Sequence, residues 1–161
     1  LISATNFEFS VYYLGNCCIP LKNKESQNVT EVRSNEEKVI DVVEVEQLDG
    51  SIAKDSKGLD QVTLRISRNG VQLFDPNTSH VVARIPLVNV VFSVSYHDGF
   101  NKFNCIIVEN VRDSDELCKC HLLQVFSKAH SEEICCILKT LFEDVQIECQ
   151  RFDDDEESDD V

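Results

Sequence analysis

The sequence predicts an α+β fold: a roughly seven-stranded antiparallel β-sandwich or partly open barrel, capped by a C-terminal amphipathic helix, with an extra helix after the first strand. Three observations predict it. Short runs of alternating apolar and polar residues recur from residue 7 to residue 126, the period of half-buried strands. Turn-forming residues separate those runs. Beyond residue 130 the apolar spacing changes to that of a helix.

Phe7, Phe9, Val11 and Tyr13 alternate with Glu8, Ser10 and Tyr12, giving a first strand that ends at Leu14 and Gly15. Residues 20–33 are polar and read as a loop. Ser34, with Glu37 three residues on, has the pattern of a capping box. Val39, Ile40, Val43 and Gln47 would then line a helix that stops before Gly50, although the β-branched run from Val39 to Val45 also suits a strand. After a loop over 51–60, Val62, Leu64 and Ile66 alternate with Thr63, Arg65 and Ser67, and Asn69-Gly70 is the pair favoured in a type I′ hairpin. Val71, Leu73 and Phe74 begin the return strand. Asp75-Pro76-Asn77-Thr78 is turn chemistry, and Val81 to Ile85 is a strand whose end or edge Pro86 marks.

Val90, Phe92, Val94 and Tyr96 alternate with Val91, Ser93 and Ser95 before a turn at His97-Asp98-Gly99. Phe103 to Val108 is a further strand, 111–116 a polar loop, and Cys118, Cys120, Leu122 and the run to Phe126 the last strand. Ile134, Ile137, Leu138, Leu141, Phe142 and Val145 then fall at i, i+3, i+4, i+7, i+8 and i+11, one continuous apolar stripe on a helix. Ser131 is placed to cap it, and Glu132 and Glu133 suit the positive end of its dipole.

A chain of 161 residues fits one domain with one substantial core. With 15 basic against 29 acidic side chains, a net −14, it carries no field that would neutralise phosphates, so nucleic acid and anionic membrane are both disfavoured as partners. Residues 153–161 carry seven of those carboxylates, and 150–161 read as an acidic disordered tail after a domain over 1–149. The eight cysteines include the adjacent pairs Cys17-Cys18 and Cys135-Cys136, and most others sit in apolar runs; they read as reduced thiols of a cytoplasmic protein. No apolar run approaches the ~20 residues that span a bilayer. Opening on Leu1, the chain reads as a segment of a larger protein, monomeric as a domain, in which the sequons at Asn28 and Asn77 carry no glycan.

Three segments in correct order resemble the phosphotyrosine-binding (PTB) domain, of the pleckstrin-homology-like superfamily. FSVYYLG, Phe9 to Gly15, resembles its opening strand. Gly70 to Gly99 resembles its central strands, and His121 to Val145 resembles its last strand and C-terminal helix, with Phe142 matching a phenylalanine usual near that helix's end. Within the family, LFDPNT and SYHDG are similar to the PTB domains of Rab GTPase-activating proteins, and RIPLVNVVFSVSY and EEICCILKTLF to that of malcavernin. The resemblance implies a non-catalytic adaptor that captures Asn-Pro-x-Tyr or Asn-Pro-x-Phe peptides of a receptor tail or another adaptor, by strand addition between an edge strand and the C-terminal helix. It places the peptide site at Val90, Val91, Phe92, Ser93, Val94, Ser95 and Tyr96, with backbone pairing by Val91, Ser93 and Ser95. Ile134, Leu138 and Phe142, or Leu141 on a rotated helix, would line the apolar pocket.

A phosphate needs clustered arginines. Arg65 and Arg84, with Arg33 as a third, are the candidates, but the acidic net charge favours an unphosphorylated ligand. A phosphoinositide-binding domain would want a basic cluster near the first hairpin, which is lacking; a scaffold for self-association or protein–protein contact without a linear motif is the other alternative. Cys118-x-Cys120-His121 does not suit zinc, because on a strand the two cysteines share a face and the histidine takes the other. No local signature supports a Cys-His nucleophile, no Gly-rich loop cradles phosphate, and no metal or cofactor is expected.

Overall fold

The computed structural model describes residues 6–20, 34–98, 102–111 and 117–158. Pro20, expected to open a loop, instead ends the first strand, and the expectations for the rest of that loop at 21–33 with Arg33 and Asn28, for Gly99, and for most of the 111–116 loop lie outside the described residues. Seven antiparallel strands run β1 (Phe7–Pro20), β2 (Val62–Ser67), β3 (Gly70–Phe74), β4 (Val81–Pro86), β5 (Val90–His97), β6 (Phe103–Asn110) and β7 (Leu117–Val125). Helix α1 (Asn35–Asp49) follows β1, and α2 (Lys128–Ser158) closes the chain. The spatial order is β4-β3-β2-β1-β7-β6-β5, so β4 and β5 are the two edges. This is the α+β, pleckstrin-homology-like fold that the sequence predicts.

β1 belongs to both halves of the sheet. Phe7–Val11 pair with β2, and Tyr12–Pro20 pair with β7. The change of partner coincides with a bulge: Tyr13 faces Leu123 and Gly15 faces Leu122, leaving Leu14 extra. Gly15 has φ 137°, which a glycine adopts without strain. The strand therefore does not end at Gly15, as its sequence suggests; the glycine bends it from one sheet into the other.

The first hairpin also differs from expectation. Ser67 pairs with Gly70, so Arg68 and Asn69 form the turn, and Ser79 is the non-glycine residue with positive φ among the described residues. Asn69-Gly70 is thus not the centre of a type I′ turn. Gly70 is required for another reason: a Cβ there would collide with the Ile85 carbonyl oxygen and press on the Leu87 amide. Pro86 ends β4 on the sheet edge, where a missing N–H costs no ladder bond. A 3-10 turn over Leu87–Asn89 then delivers the chain to β5.

Two cores result. One fills the sandwich beneath α2: Val11, Leu64, Ile66, Leu73, Ile85, Cys105, Ile107 and Leu123 meet Ile134, Leu138 and Leu141. The other lies on the opposite face of β1, β7 and β6, where Leu14, Ile106, Val108, Cys120 and Leu122 meet Val39, Val43 and Ile52. Alternate residues of β6 go to opposite cores, so Cys105–Val108 are all buried, each apolar side chain contributing about 1.5–3 kcal/mol.

The ambiguous run 39–45 is helical. Ser34 caps α1 by accepting from the Glu37 N–H at 3.2 Å, and Gly50 ends it in the left-handed conformation at φ 86°. α2 is capped four residues earlier than its sequence suggests. Ser127 accepts from the His130 N–H at 3.1 Å, so Ser131 is not the cap; it is fully buried and donates to the Asn104 carbonyl at 2.9 Å, tying the helix to β6. At its far end the α2 backbone stays helical to Ser158, through most of the acidic run that composition assigns to a disordered tail.

Candidate functional site: the groove between the edge strand and the C-terminal helix

Among the described residues β5 pairs with β6 on one side and with no strand on the other. Its open side faces α2, and between them runs a groove of about 520 Å³. Val90, Val91, Phe92 and Ser93 form the strand wall; Cys135, Cys136, Leu138, Lys139, Phe142 and Glu143 form the helix wall; Glu36 of α1 stands at one end. The wall is largely apolar, with two carboxylates and one ammonium at its rim.

A second bulge shapes the strand wall. Val90 faces Glu109 and Phe92 faces Val108, which leaves Val91 unpaired in the register and 41% exposed. Beyond it, Phe92 and Tyr96 pack toward α1, and Ser93 turns its hydroxyl to the Cys135 sulfur on α2.

The sequence-predicted site residues divide accordingly. Val90, Val91, Phe92, Ser93, Leu138 and Phe142 meet in the groove. Val94, Ser95 and Tyr96 continue the edge strand beyond the groove lining; Val94 is buried, and the Tyr96 hydroxyl is enclosed, its pKa pushed far up by burial. Ile134, Leu138 and Leu141 are all buried in the core beneath the helix, at 0%, 1% and 1% exposure; of the three only Leu138 also borders the groove, and Ile134 and Leu141 do not line it. Helix phase decides this: Phe142 faces the groove, Leu138 four residues before it is a core residue at the groove's edge, and Leu141 points inward. Glu36, Cys135, Cys136, Lys139 and Glu143 escaped sequence reasoning. Cys135 and Lys139 could have been found as i±3 neighbours of Leu138 and Phe142, and Cys136 and Glu143 in turn as the i−3 and i+4 neighbours of Lys139; Glu36 carries no such signal, because only the tertiary fold brings α1 to the groove.

At the helix wall two thiols touch. The Cys135 and Cys105 sulfurs lie 3.8 Å apart. The Cys105 thiol and the Ser93 hydroxyl both favour a thiolate at Cys135, against the cost of burial, and hold its pKa down to about 7. Sharing that contact, and then its own burial, push Cys105 well up.

Arg65 and Arg84 do converge, but in a different recess of about 360 Å³ on β2–β4, which shares no residue with the groove. Arg65 is already engaged: its Nη2 lies 2.7 Å from Glu8 Oε2, and its guanidinium stacks 4.7 Å above the Phe74 ring centre.

Cys118, Cys120 and His121 separate as their strand spacing requires. The cysteines join the core under α1, whereas His121 turns to the other face, with Nδ1 3.0 Å from the Tyr13 hydroxyl and Nε2 2.9 Å from Glu109 Oε1. Asn16 donates to the same tyrosine oxygen at 2.9 Å. Burial outweighs the neighbouring carboxylate and lowers the His121 pKa. Among the described residues no cluster of three or more His, Cys, Asp or Glu side chains could hold a metal ion, and no helix is long and apolar enough to cross a membrane.

Residues 1–150 match a protein family described as Beta-1 integrin binding protein. The match supports the PTB-like fold and lies with this family rather than with the narrower likenesses to Rab GTPase-activating proteins or malcavernin. No curated protein matches the chain.

Proposed function

The chain belongs to the family of β1-integrin binding proteins, and from that premise we propose that it is a non-catalytic adaptor domain that takes a segment of an integrin β1 cytoplasmic tail into the groove between β5 and α2. The bound segment adds itself to β5 as an eighth strand. Main-chain hydrogen bonds supply affinity, and Phe142, backed by the buried Leu138, selects an apolar side chain. The occupant carries an Asn-Pro-x-Tyr or Asn-Pro-x-Phe turn, and the domain works on the cytoplasmic side of the membrane.

One observation carries this reading: among the described residues the edge strand's unpaired side opens onto a largely apolar groove instead of being covered by another strand. An uncovered edge is an aggregation hazard that proteins ordinarily blunt, so a groove kept beside it has a use. Phosphorylation is not required. Lys139 is the one cation among the groove's described lining residues, flanked by Glu36 and Glu143, and Arg65 is held by Glu8 in another recess.

Fluorescence polarisation tests it with tail peptides carrying the motif phosphorylated, unphosphorylated, and with Tyr replaced by Phe. The expected result is saturable binding at a Kd of about a micromolar, near −8 kcal/mol, that tolerates Phe and gains nothing from phosphate. Absence of binding by every peptide to folded protein refutes the proposal and turns attention to phosphoinositide vesicles and self-association.

A further inference from the structure

The two thiols at the helix wall are placed for chemistry that peptide capture does not need. Cys135 lines the groove, where a small solute can reach it. Cys105 is fully buried on β6 directly behind it, sulfur to sulfur 3.8 Å. One accessible thiol backed by one inaccessible thiol is the arrangement of an attacking and a resolving cysteine. We propose that Cys135 and Cys105 form a peroxide-reactive modification site, at which oxidation closes a disulfide between α2 and β6.

The steps balance. The Cys135 thiolate attacks one oxygen of hydrogen peroxide; an S–O bond forms, the O–O bond breaks, and the second oxygen leaves as hydroxide, which takes a proton to become water. Cys105 then attacks the Cys135 sulfenic sulfur. The S–S bond forms, the S–OH bond breaks, and the departing hydroxide takes the Cys105 proton as a second water. Two sulfurs lose one electron each and one peroxide gains two. Order is set by access and ionisation: peroxide reaches Cys135 first, and Cys135 is the more readily deprotonated of the two. Closing to a bond of about 2.05 Å needs a sulfur displacement of under ~2 Å, within reach of side-chain rotation.

The consequence for binding rests on the groove reading above. A disulfide draws the Cys135 sulfur out of the groove wall, away from Ser93, and fixes α2 against β6. In return, an occupant of the groove covers Cys135. Peptide at about ten times its Kd leaves roughly one site in ten open, so oxidation slows by about tenfold.

The experiment uses the full chain, reduced, exposed to hydrogen peroxide, quenched with iodoacetamide and mapped by mass spectrometry. Wild type and Cys136→Ser should give a Cys105–Cys135 cross-linked peptide, two hydrogens lighter and restored by dithiothreitol. Cys105→Ser should stop at a sulfenic acid on Cys135 that dimedone captures, and Cys135→Ser should give neither product. The Cys17–Cys120 contact across β1 and β7 is the internal comparison. The inference is overturned if Cys135 stays alkylable after the exposed Cys18 and Cys136 have oxidised, or if it links to another cysteine. The tail peptide separates the two proposals. Peptide that binds while the cross-link never forms sinks the redox site and leaves the groove standing; a cross-link that forms equally fast under saturating peptide sinks the groove and leaves the redox site standing.

Discussion

Leu141 and Phe142 are neighbours in sequence and face different environments, so a paired substitution separates fold from binding. Leu141 is 1% exposed in the core under α2. Leu141→Ala removes three buried carbons at about 0.8 kcal/mol each and leaves a cavity, for a loss of about 2.7–5 kcal/mol of stability. Phe142 lines the groove. An occupant covering about a third of a ring of ~200 Å² buries roughly 65 Å² of it, worth about 1.6 kcal/mol at ~25 cal/mol/Å². Phe142→Ala should therefore weaken the tail peptide by roughly fifteenfold. Its cost to stability should stay below that of Leu141→Ala. Urea unfolding reads the first quantity and fluorescence polarisation the second. The reasoning fails if Phe142→Ala leaves Kd unchanged, or if Leu141→Ala, measured where it remains folded, weakens binding more than Phe142→Ala does.

Gly70→Ala should cost more than 2 kcal/mol in urea unfolding, since the added methyl meets backbone at Ile85 and Leu87 and φ is 132°; an unchanged midpoint would contradict that packing. Ser131→Ala should cost about 1–2 kcal/mol, because the Asn104 carbonyl loses a buried donor, and circular dichroism melting would show whether it does. His121 should make stability fall as pH drops through about 6.5 and below. Its pKa is lowered in the fold, so the unfolded chain takes up a proton that the buried ring, between Tyr13 and Glu109, refuses. Urea midpoints at pH 7.5 and 5.5 should differ more for wild type than for His121→Gln, and an equal loss in both would refute the assignment.

Periodicity made most of the architecture legible. The stripe from Ile134 to Val145 and the alternations at Val62–Ile66 and Val90–Tyr96 report burial directly, because a single face of each element meets a core. Ser34 and Gly50 bounded α1 even where its β-branched residues were ambiguous, since caps act on the backbone and not on packing. The errors share a cause. Gly15 reads as a strand end, Asn69-Gly70 as a turn centre and Ser131 as a cap, because each residue type suits those local roles. Tertiary contacts decide otherwise: Gly15 bends a strand between two sheets, Gly70 yields space to β4, and Ser131 bonds to β6. The groove was legible in outline through Leu138, Phe142 and the edge strand. Helix rotation, which put Leu141 in the core and Cys135 in the wall, was not, and neither was the approach of Glu36 from α1.

The double membership of β1 has a consequence for synthesis. Its first half finds its partner β2 some 50–60 residues downstream, but its second half must wait for β7, roughly 100 residues downstream. At 5–20 residues per second the ribosome takes roughly 5–20 seconds to supply that partner. Until then Leu14 and Ile19, buried in the finished domain, have no strand to cover them. The first and last strands of the sheet pair with each other, so a nascent domain waits with an apolar strand in hand. That interval is when the domain's longest strand is most open to pairing with the wrong partner.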